Sequence, residues 1–371
     1  MPLYLTDDQE MLRDTARSFM AEEGAIGTQL RHWRDTGCKD GFGHALWKQF
    51  AELGFTGILV PEADGGLGLG HVEAGIVLEE IGRNLTPSPF LVTAVAVVEA
   101  LKGTVHGARW FPGIVSGDTV AALAVDEGAK HRPEAIAMTA ERAGNGFRLS
   151  GAKQFVVQGG SADLILVAAR AEEGVTLFAV EKEVSGLAVE GVRLADSSMA
   201  ARMTFEGVEV DADAVVGEVG GGAAVLARAL GAARAGAASE MVGVASGAMA
   251  MTVDYLKQRR QFGRLIGEFQ VLQQRAAHLY SELEIARAAA LKAQQLLDEG
   301  SAEAEAMVSV AKAKAGRVST LAVQEGVQMH GGIGMTDEYD IGLYMKRDRA
   351  LNELFGDANY HTDKLARMMG Y

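Results

Sequence analysis

Cysteine occurs once, at Cys38, in a chain of 371 residues. That excludes an intrachain disulfide and a thiolate-held metal cluster, and no metal is expected. Proline occurs only six times, so little interrupts long helices. Aromatics make up 6% of the residues, and no run of about 18 apolar residues appears, so no membrane span is expected. Positive charge is in deficit. Against 49 Asp and Glu stand 35 Lys and Arg, a formal charge of −14, which argues against non-specific nucleic-acid binding and against anchoring on anionic membranes. The opening MPLYLTDDQEMLRDTARSF reads as an amphipathic helix with an acidic first turn rather than a leader peptide. A cytoplasmic chain is the expectation.

Glycine is abundant, with 46 residues, and nearly half the chain is apolar, enough for a large core divided into two or three domains. The segment 1–119 reads mostly as helix. Thr6 precedes Asp7, Asp8 and Gln9 in a capping-box pattern. HALWKQFAELGF ends a helix at Gly54, VPEADGGLGLG is a glycine loop, and Pro87 and Pro89 precede an apolar helix from Leu91 to Leu101. From 120 to 217 the chain turns to short β-branched runs between turn signals, which predicts a compact antiparallel β domain. From 218 to 371 no strand-like segment is expected. Long helical stretches at 223–259, 269–299, 302–329 and from 340 onward suit an antiparallel bundle. The fold class is therefore α+β and multi-domain, with helix, sheet and helix in that order.

Two stretches carry chemistry. In QMHGGIGMTDEY, Gly331, Gly332 and Gly334 strip side chains from a turn so that backbone N–H groups can approach an anion, with Gln328 and the charges of Arg347, Asp348 and Arg349 framing it. Upstream, RRQFGRLIGEFQ adds Arg259, Arg260 and Arg264, a local basic cluster on an acidic chain. His330, beside the turn, reads as structural.

Along essentially its whole length the chain resembles the acyl-CoA dehydrogenase family. The matches are LTDDQEMLRDTARSF, LVPEADGGLGLG, LSGAKQFVVQGGSADLILV, VEVDADAVVGEVGGG, DYLKQRRQFGRLIGEFQ and VQMHGGIGMTDEY. The resemblance implies an N-terminal helical domain, a central β domain and a C-terminal four-helix bundle, with FAD in a cleft between subunits. It also implies α,β-dehydrogenation of an acyl-CoA, with an electron-transfer flavoprotein taking the electrons. Arg259 is similar to the arginine that reaches the FAD pyrophosphate of a neighbouring subunit, where an always-charged fork suits phosphate. Phe262 and Gln270 resemble further flavin contacts, and Gln328 and Gly332 resemble the dinucleotide contacts of the glycine turn. Phe155, Val156 and Val157 stand where the family has Trp-Ile-Thr against the flavin ring, so the aromatic is kept and the hydroxyl at Val157 is lost. LAVDEGAKHRPEA replaces the family's Thr-Glu-Pro and Gly-Ser-Asp pattern.

The reaction needs a carboxylate to take an α-proton. The family's usual glutamate, in a Tyr-Glu-Gly-Thr segment, falls on Gly356 of Phe355-Gly356-Asp357-Ala358. A second family location, just before the arginine matched by Arg234, falls on Ala233. Two carboxylates remain. Asp357 lies one residue past the usual site. Glu240 lies seven residues beyond Ala233, on the same helix face and about 10 Å along the axis, among Gly236, Ala237, Gly243, Val244 and Gly247. A lone carboxylate there should be poised for proton abstraction. The competing reading is a structural Glu paired with Arg234 or with an arginine from another helix. Gly356 keeps the backbone N–H that the family offers to the thioester carbonyl, and its missing side chain should widen the pocket. FGDANYH with Glu240 resembles a bacterial branch acting on bulky acyl groups, including steroid side chains, often as two-subunit heterotetramers. A homotetramer or heterotetramer is thus expected. The alternative to an active enzyme is a non-catalytic partner subunit.

Overall fold

The computed structural model describes residues 3–371; Met1 and Pro2, which open the first amphipathic segment, lie outside the described residues. The capping box forms as its spacing dictates. Gln9 N–H donates to Thr6 Oγ1 at 3.3 Å, and Thr6 N–H donates back to Gln9 Oε1 at 3.0 Å, so two orphan donors are satisfied at the start of α1 (Asp7–Glu22). After α2 (His32–Asp35) comes α3 (His44–Glu52), which stops before Gly54, whose φ of 77° suits a helix exit. Next are α4 (His71–Asn84), a π-helical run Leu91–Val97 that passes into α5 (Val98–Leu101), and α6 (Val105–Val115).

Eight strands follow as one sheet: β1 (Ala121–Ala124), β2 (Thr139–Ala143), β3 (Gly146–Val157), β4 (Leu164–Ala171), β5 (Gly174–Glu181), β6 (Leu187–Arg193), β7 (Met199–Val210) and β8 (Val215–Val216). Their order is β6-β7-β3-β2-β4-β5-β8, with β1 beside β4. Most pairings are antiparallel, as the turn signals predict. The sheet adds two parallel ones, β1 and β2 each against β4. β1 is buried at every position, the uniform burial of a strand covered on both faces. The β3–β7 register, opened by Phe147 opposite Val210, slips twice, the second time between Lys153 and Val156. That bulge re-aims the end of β3.

The chain returns to helix with α7 (Gly222–Gln258). A two-stranded hairpin then appears where no strand is expected, β9 (Arg260–Gln261) against β10 (Arg264–Leu265). Gly263, at φ 79°, permits so tight a turn. The remaining helices are α8 (Gln270–Asp298), α9 (Ala304–His330), α10 (Ile341–Glu353) and α11 (Ala358–Met368). No helix among the described residues is long and apolar enough to cross a membrane.

Two compact units result, each discontinuous in sequence. One gathers the N-terminal segment through Arg31, His71–Thr86 and Arg234–Tyr371; the other gathers His32–Gly70 and Pro87–Ala233. In the first, Ala235, Ala238, Met241, Val242 and Ala245 of α7 share a core with Leu283, Ala286, Ala311 and Leu351. Here α4 meets α7 backbone to backbone. A Cβ on Gly82 would stand 2.0 Å from Glu240 O, and one on Gly243 would stand 2.0 Å from Glu79 O. In the second unit, Phe147, Leu149, Val167, Phe178, Met203 and Phe205 fill the core of the sheet.

Candidate functional site

In the first unit Leu256, Ile266 and Met329, with Tyr255, Phe269 and Leu272 against them, form a small separate core. It ties the end of α7 and the β9–β10 hairpin to the end of α9, where the glycine turn begins. Arg259, Phe262, Gln270, Gln328 and Gly332 are thereby brought to one patch, all exposed. Phe262 is 89% exposed and sits at φ 53°, a conformation a bulky residue rarely adopts. Arg259, Gln270 and Gln328 have no side-chain hydrogen bond among the described residues. Gly331 takes φ 66°, and a Cβ on Gly332 would meet nothing within 4 Å. Unpaired donors around an open, side-chain-free turn suit an anionic ligand, and the bare aromatic suits a flat one. Arg347, Asp348 and Arg349 do not frame this turn. Each is engaged on α10 instead, with Glu240, with Thr320 and Asn352, and with Glu353 respectively. His330 is buried between Tyr255 and Tyr339, its Nδ1–H donating to Gly326 O at 2.7 Å.

The Gly356 turn has the opposite character. Phe355 and Gly356 both have positive φ, 59° and 102°, and buried side chains engage the carbonyls of Leu351, Asn352, Phe355 and Gly356. Lys312 of α9, 1% exposed, donates to Leu351 O at 3.0 Å, Asn352 O at 3.4 Å and Gly356 O at 3.0 Å. From α7, Arg234 Nε donates to Phe355 O at 3.1 Å, and the same guanidinium reaches Tyr360 Oη at 3.2 Å. His361 of α11, fully buried, gives Nε2–H to Phe355 O at 3.2 Å. Burial, then the charges of Arg234 and Lys312, push this imidazole down to about 2, so it is neutral. Burial first and Arg234 second push the Lys312 ammonium down to about 7. The space beside Gly356 is not vacant. A Cβ there would stand 2.4 Å from Cδ1 of the Tyr360 ring, so the expected widening at position 356 is taken up by Tyr360.

Of the two candidate carboxylates, Asp357 accepts from Tyr360 N–H at 2.7 Å and caps α11. Glu240 is 2% exposed but is not a lone carboxylate on its face. Its Oε1 accepts both Nε (2.9 Å) and Nη2 (2.5 Å) of Arg347, while Oε2 accepts no bond among the described residues. The arginine makes burial of the charge tolerable, and removing either partner would strand the other.

In the second unit the bulge displays Phe155, half-exposed at φ 53°, followed by half-buried Val157 and by Gln158 at φ 56°. Two bulky residues in a rarely populated conformation mark this strand end as held by its surroundings. Beside it Asp126 O accepts Gln154 N–H at 2.7 Å, and fully buried Lys153 pairs with Glu127 at 2.7 Å.

Three family models match in order along the chain: the acyl-CoA dehydrogenase N-terminal domain over residues 6–118, the middle domain over 121–208 and the C-terminal domain over 220–370. The chain belongs to the acyl-CoA dehydrogenase family. That makes it an oxidoreductase of this class. It is 30% identical to acyl-CoA dehydrogenase FadE12 of Mycobacterium tuberculosis, over 93% of this chain and 91% of that one. Among solved structures it is similar to the Tcur3481-Tcur3483 steroid ACAD variant, with TM-score 0.89, 30% identity and 98% of both chains covered. A structure named for the electron transferring flavoprotein of Acidaminococcus fermentans matches with TM-score 0.91 and 28% identity over 100% of both chains. Helix, sheet and helix, the expected fold, is that of the family.

Sequence reasoning misses Lys312, Tyr360 and His361. Only Lys312 leaves a signal, as a lysine on the stripe Val308, Ala311, Ala315 and Ser319, all buried. The partner of Glu240 is foreseeable only as an arginine from some helix.

Proposed function

We propose that this chain performs FAD-dependent α,β-dehydrogenation of an acyl-CoA thioester to the trans-2-enoyl-CoA, passing electrons to an electron-transfer flavoprotein. The observation that carries the reading is the Gly356 turn. Its carbonyls are consumed by buried side chains, and its glycine N–H, engaged only at 3.4 Å with Glu353 O, is left to bind a thioester carbonyl. Arg259, Phe262, Gln270, Gln328 and Gly332 would hold the FAD of a neighbouring subunit, and Phe155 and Val157 of the second unit are separately proposed as flavin contacts. FAD, when bound, supplies the hydride acceptor. Glu240 is the carboxylate proposed to take the α-proton, on Oε2, while Arg347 holds Oε1. Asp357, committed to its helix cap, is the weaker candidate. Arg234 acts on substrate through the turn it fixes. A bulky acyl group, as named for the Tcur3481-Tcur3483 relative, a homo- or heterotetramer and a cytoplasmic location complete the proposal.

A second reading, a partner subunit without chemistry of its own, is favoured by two observations: Tyr360 fills the place of a base at 356, and Arg347 restrains Glu240. The two readings separate experimentally. On the first, the purified chain is yellow, and Glu240→Gln retains FAD but loses dehydrogenation; normal turnover in that variant removes Glu240 as the base. A chain that is colourless alone and flavinated only with a companion protein establishes the second.

A further inference from the structure

Each peptide unit is planar and trans, so its C=O and N–H point in opposite directions. This applies twice in succession at the Gly356 turn. Phe355 O is held by Arg234 and His361, so the Gly356 N–H of the same peptide points away from them, where its one acceptor among the described residues is Glu353 O at a long 3.4 Å. Gly356 O is held by Lys312, so the Asp357 N–H points away from the lysine. Asp357 N–H has no partner among the described residues. Successive N–H groups displayed by a turn with positive φ form an anion-facing concavity. Hydrogen bonding at the carbonyl end of a peptide also strengthens the donor at its other end.

We propose that Lys312 is a positioning residue: by holding Gly356 O it turns the Asp357 N–H outward, beside the Gly356 N–H that Arg234 and His361 aim through Phe355 O, as a paired hole for the thioester carbonyl oxygen. The inference rests on the substrate reading above and adds to it a second donor and the residues that aim both. Lys312 touches no reacting atom. Three carbonyls converge on its Nζ, from Leu351, Asn352 and Gly356. As an ammonium it serves all three; as a neutral amine it has donors for only two. The charged groups that act on it are Arg234 from α7, Asp348 and Glu353 from α10 and Asp357 from the turn, while neutral His361 lies alongside. With Lys312 losing its proton at about 7, the strength of the hole should fall as pH rises through that value.

The test is difference infrared spectroscopy of the holoenzyme with carbonyl-labelled enoyl-CoA bound. In the unmodified protein the carbonyl band should move to lower frequency on binding, and part of that shift should disappear between pH 6 and 9. Lys312→Arg keeps a permanent charge and should hold the shift constant over the same range. Lys312→Met should lose at every pH the part of the shift that the unmodified protein loses only at high pH, and lower kcat about tenfold, with KM changed far less. FAD content and thermal unfolding confirm that each variant is folded. Should Lys312→Met not fold, the pH profile of the unmodified protein decides alone. A full, pH-independent shift in the unmodified protein, or an undiminished shift in folded Lys312→Met, overturns the positioning role. If no enoyl-CoA band appears with the unmodified holoenzyme, the substrate reading itself fails and the inference goes with it.

Discussion

The turn at Gly356 and the patch around Phe262 belong to the same unit, yet they are built on opposite terms. At Gly356 two consecutive positive φ values are held by side chains from α7, α9 and α11, all buried. At the patch the side chains of Arg259, Gln270 and Gln328 make no hydrogen bond among the described residues, and Phe262 presents nearly its whole side chain to the exterior. The first arrangement is complete within this chain, as a group that must orient a reacting carbonyl should be. The second is incomplete by construction, as a surface should be whose ligand or neighbouring subunit arrives from outside. Damage to the two regions should therefore be felt differently, in stability at one and in ligand retention at the other.

The sharpest way to break this contrast is Gly356→Ala. The added Cβ meets the Tyr360 ring at 2.4 Å and the backbone resists φ 102°, so a loss of about 3 kcal/mol in unfolding free energy is expected. The double variant with Tyr360→Ala should recover the part due to collision but not the part due to φ, which denaturant titration of all three proteins can separate. Next comes Arg347→Met, which strands the Glu240 carboxylate at 2% exposure; about 3 kcal/mol should be lost, and Glu240→Gln in the same background should return much of it. Lys312 gives an effect with a pH signature. Its ammonium titrates at about 7 in the folded chain against 10.5 for a free lysine. Between those values the unfolded chain binds more protons, so this residue's burden on stability is full below pH 7 and relieved as pH rises toward 10. The stability of Lys312→Met relative to the unmodified protein should accordingly be most favourable at pH 6 and decline toward pH 9. The smallest stability effect should come from Arg259→Ala and Phe262→Ala, each within about 0.5 kcal/mol, although both should weaken FAD retention. Thermal melts beside flavin absorbance after gel filtration would show whether the patch is as independent of the fold as its exposure suggests.

Much of this is legible in the sequence wherever the signal is local. Thr6 and Gln9 close a capping box because three residues of spacing suffice. The glycine turn and the empty base position at 356 also show in short stretches. What cannot be read there depends on which helices meet. Arg347 finds Glu240 across 107 positions of sequence, and Lys312 finds Gly356 across 44; neither pairing leaves a local pattern. Tyr360 is invisible for a related reason, since a tyrosine four residues past a glycine predicts nothing until the turn at Phe355 folds the ring back. The hairpin at Arg260–Leu265 escapes because two-residue strands carry no periodicity.

The contact between Tyr360 and the missing side chain of Gly356 also constrains which sequences can be reached from this one. A carboxylate cannot be returned to position 356 by a single substitution, because its first carbon would collide with the ring. Tyr360 would have to shrink beforehand, and Arg234 would then lose a hydrogen-bond partner and the ring beneath its guanidinium. The route back to a base at 356 thus begins with a step that weakens the turn, and the order of the two changes is fixed by sterics rather than by chance.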